Sequence, residues 1–136
     1  PLEQLVAQAR SAGTSALVRI DAFVRDWFAL LVEDAWFRQS FEILLNKTEL
    51  TDAMSTTLER ERRLTQSMIE TLQGLVEDAQ QQGDIPADQS AGQLALMIYT
   101  QLMGVTQTWL FAPGLFDLNE QRDFFAERVL RALQQP

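Results

Sequence analysis

Neither histidine nor cysteine occurs among the 136 residues of the chain. Their absence excludes a disulfide framework, a zinc site of the usual nitrogen and sulfur kind, and a Cys–His or Ser–His–Asp nucleophile. Cations are scarce as well, with 11 Lys and Arg against 19 Asp and Glu and a formal charge of −8. Phosphate contacts need clustered Lys and Arg, so this balance argues against nucleic-acid binding by the chain itself. Proline and glycine are few, 4 and 6, and no Asn-Gly or Asp-Gly pair separates alternating apolar runs, so hairpins are not signalled. No basic segment followed by an apolar one opens the chain, which leaves no secretory signal. The lack of cysteine fits a reducing cytoplasm, the expected compartment. The chain opens on Pro1 without an initiator Met, so a fragment or processed chain is expected, with part of the function upstream.

What remains is helical material. The stretches between breakers are rich in Leu, Ala, Gln, Glu and Arg, which favour helix, and the length suits one domain with a single core. The predicted fold class is all-α. Periodicity places a first helix at 2–12, stopped by Gly13. A second runs from Thr14 or Ser15 to about Val32, with Leu17, Ile20, Val24, Phe28 and Leu31 on one stripe and Trp27 beside it. A third covers 35–47. A short helical turn after the polar stretch 46–52 precedes a long helix at 56–82, with Gly83 past its end. Asp88 is the expected cap of a helix to Ala112, and Asp117 begins the last one, striped by Leu118, Phe125, Val129 and Leu133.

From Gln89 to Phe116 the chain carries no charge at all, a run of 28 residues. An ordinary surface helix keeps a charged face. Three readings compete for this one. A membrane span needs about 20 predominantly apolar residues, but Gln93, Gln101 and Gln107, with Thr100, Thr106 and Thr108, interrupt the run. The second reading is the central helix of a monomeric bundle. The third is a helix sandwiched between its own domain and a second subunit, so that the last two helices of each protomer form an intermolecular four-helix bundle. The third accounts best for a chain with few other helices to cover it. It puts Val105, Trp109, Leu118, Phe125 and Val129 in a homodimer interface.

Catalytic chemistry is absent from the pattern. A di-iron bundle needs Glu-x-x-His pairs. Asp26, Glu33 and Asp34 fall on predicted solvent faces, and Glu59–Arg63 reads as a wet helix face. The six serines have no base. No enzyme, metal or cofactor is predicted. Trp27, Phe28, Phe41, Met54, Met68, Tyr99 and Met103 supply soft apolar bulk over several helices, which suits either plain core packing or an adaptable pocket for aromatic ligands.

Three segments in order carry a family likeness. Phe41-Glu-Ile-Leu-Leu-Asn-Lys-Thr-Glu-Leu50 with Thr51-Asp-Ala-Met54, then Gly83-Asp-Ile-Pro-Ala-Asp88, then Trp109-Leu-Phe-Ala-Pro113 with Phe116-Asp-Leu118, resemble TetR-family repressors of the multidrug-efflux, AcrR-like branch. The likeness covers about residues 41–134. It departs where the branch's His-Lys-Cys-Glu reads Asn46-Lys47-Thr48-Glu49, and in the longer stretch before Phe41. The resemblance implies that residues 1–136 form a C-terminal ligand-binding and dimerisation domain, with the DNA-reading helix-turn-helix absent from this chain. It places ligand-facing positions at Phe41, Leu45, Met68, Leu72, Tyr99, Leu102 and Met103. It also implies a homodimer that senses hydrophobic or aromatic small molecules and releases operator DNA of an efflux operon. Several of these positions are polar in relatives, so a greasier pocket is expected, with Glu42 and Glu49 the nearest carboxylates. The alternative is a helical dimerisation module without a ligand.

Overall fold

The computed structural model describes residues 4–5, 15–45 and 52–135, with the side chains of 43–45 and 52–55 outside that description. Five helices occur among the described residues: α1 (Ala16–Glu33), α2 (Ala35–Leu45), α3 (Asp52–Gln81), α4 (Ala91–Phe111) and α5 (Leu118–Gln134). Most of the predicted helix at 2–12 and the stretch 46–51 lie outside the described residues. No described helix is long and apolar enough to cross a membrane.

Helix α1 is the hub. It buries Ala16, Ile20, Phe23, Val24, Trp27, Phe28 and Leu31, a stripe so wide that each of the other four helices packs against it. Its remaining charges stay at the rim, where Arg25 pairs with Asp21 one turn back and with Asp123 on α5. Composition alone leads one to expect the charge-free segment to be buried on nearly every side; within one protomer it is not. Helix α4 buries Leu94, Ala95, Ile98, Leu102 and Thr106, while Leu96 is 51% and Phe111 87% exposed. Aromatic bulk on two sides of α1 fills the centre, and α4 flanks it.

The helix ends follow from local chemistry. Ser15 caps α1 by accepting from the Val18 amide. Asp34 closes α1 and opens α2 at once, for its own N–H donates to the Leu30 carbonyl and its carboxylate accepts from the Phe37 amide. Arg38 donates to the carbonyls of Leu31 and Val32 at 2.9 and 3.0 Å, satisfying the free end of α1. Asp34 is therefore a joint, not the merely solvated charge that the sequence suggests. Helix α3 begins at Asp52 and absorbs the separate short turn expected before Thr56. Ser90, whose hydroxyl accepts from the Gln93 amide, caps α4 in place of the expected Asp88. Asp117 caps α5 as expected.

Helix α3 ends in a Schellman turn. The Asp84 amide reaches back to the Ala79 carbonyl and the Gly83 amide to Gln80, with Gly83 at φ +83°. The Gln80 side chain then holds the connector through the carbonyls of Pro86 and Gln89. A side chain at Gly83 meets the left-handed penalty, so Gly83→Ala is expected to lower stability by about 1 kcal/mol. Gly74 lies inside α3, where a Cβ would find open space, with nothing within 4 Å. There the same substitution is expected to raise stability by about 0.5–1 kcal/mol. Urea unfolding of both variants checks the opposite signs.

Candidate functional site

Three helices bring rings to one indole. Trp27 of α1 is fully buried. Its ring meets Phe37 and Phe41 of α2 at centroid distances of 5.6 and 5.5 Å, and Phe23 of α1 and Tyr99 of α4 at 6.3 Å each. The Phe37 and Tyr99 rings stand edge-on to it, the arrangement the ring quadrupoles favour. The indole N–H donates to the hydroxyl of Thr106 on α4 at 2.9 Å, and that hydroxyl donates to the Leu102 carbonyl at 2.6 Å. At the other end of the cluster the hydroxyls of Tyr99 and Thr65 of α3 share a hydrogen bond at 3.2 Å.

Burial pushes the Tyr99 phenol above its ordinary range; the bond with Thr65 opposes that shift, and the negative charge of Glu61 adds to it. The hydroxyl therefore stays protonated and can donate at neutral pH. Glu61 lies one turn before Thr65 on α3. The nearby Arg62 and Arg63 both turn to Glu59.

The structure draws part of the predicted ligand set together. Phe41 and Tyr99 both contact Trp27. Met68 and Leu72 are buried on α3 and Leu102 on α4, and Met103 is half-buried against the same core. The Leu45 side chain, the Met54 side chain and Glu49 lie outside the described residues. Glu42 is exposed, whereas Glu61 is the carboxylate whose charge reaches the cluster. Sequence reasoning leaves Phe37, Thr65 and Thr106 out of the site. Trp36 and Phe37 look alike as neighbours, but Phe37 is buried and Trp36 exposed. The spacing of Phe37 and Phe41, one turn apart, is the available signal.

A second feature lies between α4 and α5. A cleft of about 340 Å³ is walled by Phe28, Leu102, Val105, Phe124, Phe125 and Val129, with Gln101 and Arg128 beside them. Of the five positions expected in a homodimer interface, Val105 and Phe125 line this cleft and Trp109 is half-buried. Val129 lines it while being nearly buried. Leu118 is 1% exposed inside its own protomer and so has almost no surface to offer a partner. It is the first residue of α5, directly after the Asp117 cap, and packs into the core.

Residues 20–135 match the C-terminal region of the MAATS-type transcriptional repressors, a TetR-type family, and the chain belongs to that family. The family is one of transcriptional regulators, not of enzymes. Among curated proteins, the HTH-type transcriptional regulator AcrR of Shigella flexneri is 28% identical over 90 residues. That alignment takes in 65% of this chain and 42% of AcrR, so the chain spans less than half the length of this relative. Among solved structures, a crystal structure of NalD, the secondary repressor of the MexAB-OprM multidrug efflux pump in Pseudomonas aeruginosa, superposes with a TM-score of 0.80 at 21% identity. The match covers 99% of this chain and 67% of that one. A second, native NalD structure gives 0.83, again at 21% identity, covering 99% and 69%. These superpositions bear on the fold, which is that of a TetR-like C-terminal domain.

Proposed function

We propose that this chain is the effector-sensing and dimerisation domain of a transcriptional repressor, and that its effectors are hydrophobic or aromatic small molecules bound at the Trp27 cluster. One observation carries the reading. Aromatic rings from three helices and a polar pair from α3 and α4 meet around Trp27, and two of the members, Phe41 and Tyr99, are positions where the family likeness expects ligand-facing side chains. Rings offer stacking area, and the Tyr99–Thr65 pair offers orientation. In the intact protein a helix-turn-helix domain reads the operator, and the ligand favours a conformer whose recognition helices no longer match successive major grooves. The likeness to NalD, a repressor of a multidrug efflux pump, supports an efflux operon as the regulated target. The α4–α5 face supplies the homodimer contact.

Tryptophan fluorescence titration with a panel of hydrophobic drugs and dyes tests the site. A bound effector at a hundredfold excess over its Kd is expected to stabilise the fold by about 2.7 kcal/mol. Unchanged emission and unchanged melting across the panel overturns the proposal and leaves a dimerisation module.

A further inference from the structure

Trp27 and Phe28 are adjacent on α1 yet meet neighbouring faces of α4. The indole enters the aromatic cluster. The Phe28 ring enters the α4–α5 cleft, 6.0 Å from Phe125. On α4 the same two sides meet at consecutive residues, for Thr106 receives the indole N–H while Val105 lines the cleft. Thr106 is fully buried. Its own proton is already placed on the Leu102 carbonyl, so the lone pairs of its hydroxyl are left to accept, and the Trp27 N–H is what they accept. An apolar side chain of the same shape would fill this core position equally well. The bond that the hydroxyl makes beyond its own helix is the one to the indole.

We infer that Thr106 is a positioning residue of the effector site: it fixes Trp27 as the wall of that site and ties the wall to the α4–α5 face. The inference rests on the effector reading of the cluster. A planar molecule seated between the indole and Tyr99 takes up the contact those two rings now make, and the indole must shift. A buried N–H left without its acceptor carries the full cost of desolvation, so Trp27 and Thr106 move together. The displacement then reaches the middle of α4, and Phe28 carries it into the cleft from the α1 side. Occupancy of the cluster is thereby registered in the α4–α5 cleft.

The test uses the 136-residue chain and the dye 1-anilinonaphthalene-8-sulfonate. With Trp36 and Trp109 replaced by phenylalanine, Trp27 alone emits, and its quenching reports dye at the cluster. Amide hydrogen exchange over 101–111 reports the response of α4. Saturating dye is expected to change that exchange by about fivefold. In Thr106→Val the dye still binds within about threefold, but the α4 response falls to less than about a third; Thr106→Ser restores it. Trp27→Phe, which keeps a ring and removes the N–H, is expected to copy Thr106→Val and serves if that variant does not fold. A full α4 response in Thr106→Val or Trp27→Phe, or no rescue by serine, overturns the coupling while the effector reading stands. Absence of Trp27 quenching in the parent by this dye and by every member of the drug panel overturns both.

Discussion

Trp27→Ala is expected to lower the free energy of unfolding by about 3–5 kcal/mol, the range for emptying a large aromatic from a core. Two features place it at the upper end. The indole is fully buried and touches four other rings contributed by α1, α2 and α4, and these cannot all collapse into one void because they are anchored on different helices. A domain of this size has about 5–15 kcal/mol in total, so the variant loses a large part of its stability. Trp27→Phe keeps most of the ring contacts and removes only the N–H. Thr106 retains its bond to the Leu102 carbonyl, so no buried hydroxyl is orphaned, and the expected cost is about 1–2 kcal/mol. Urea denaturation at a fixed m-value separates the two. A Trp27→Ala cost below that of Trp27→Phe contradicts the hub role.

The second large effect concerns association. Phe124 is 49% exposed, and with the α4–α5 cleft that it lines it leaves apolar area uncovered on the protomer. Such a patch is costly to leave in water and marks an interaction face. Phe124→Asp puts a carboxylate at the rim of the cleft and is expected to weaken dimerisation by about 100-fold or more, since buried aromatic anchors carry much of an interface's energy. The protomer is not the casualty, because Phe124 lies outside the buried core and Arg128, stacked over its ring at 5.0 Å, is available to pair with the new charge. Sedimentation velocity at micromolar concentration reads the result: a dimeric parent and a monomeric variant with the same helical circular dichroism. A parent that sediments as a monomer, or a variant that remains dimeric, removes the interface.

Much of the fold is legible because helix signals are local. Ser15 and Asp117 before apolar stripes, and Gly83 after one, mark ends that the structure reproduces. Less legible is everything decided by neighbours. Asp88 and Ser90 are both good caps, and the choice falls to Ser90 because the Gln80 side chain holds the Pro86 and Gln89 carbonyls and extends the connector to that point. Uncharged composition singles out α4 as a helix covered on more than one side, by its own domain and a second subunit, but composition does not reveal which helix has bulk on two faces within the protomer, and α1 does. Within the site, Tyr99 and Phe41 are recognisable from the family likeness. Thr106 is not. On the sequence it reads with Thr100 and Thr108 as one of the regular polar interruptions, and only packing separates the buried threonine from the two exposed ones.

The Asp34 joint limits how the aromatic cluster can admit a guest. A single residue ends one helix and starts the next, and Arg38 clasps the carbonyls on the far side of the bend. There is no slack chain at this corner, so α1 and α2 are expected to move as one piece. Phe37 and Phe41 on one arm therefore keep their distance from Trp27 on the other. Room for a visiting molecule has to come from the opposite wall, where the hydroxyls of Thr65 and Tyr99 latch α3 to α4. A latch of one neutral hydrogen bond opens at far lower cost than a corner held by a cap and a guanidinium. For the effector site proposed above, the way in therefore lies on the α3–α4 side, away from the fixed Asp34 corner.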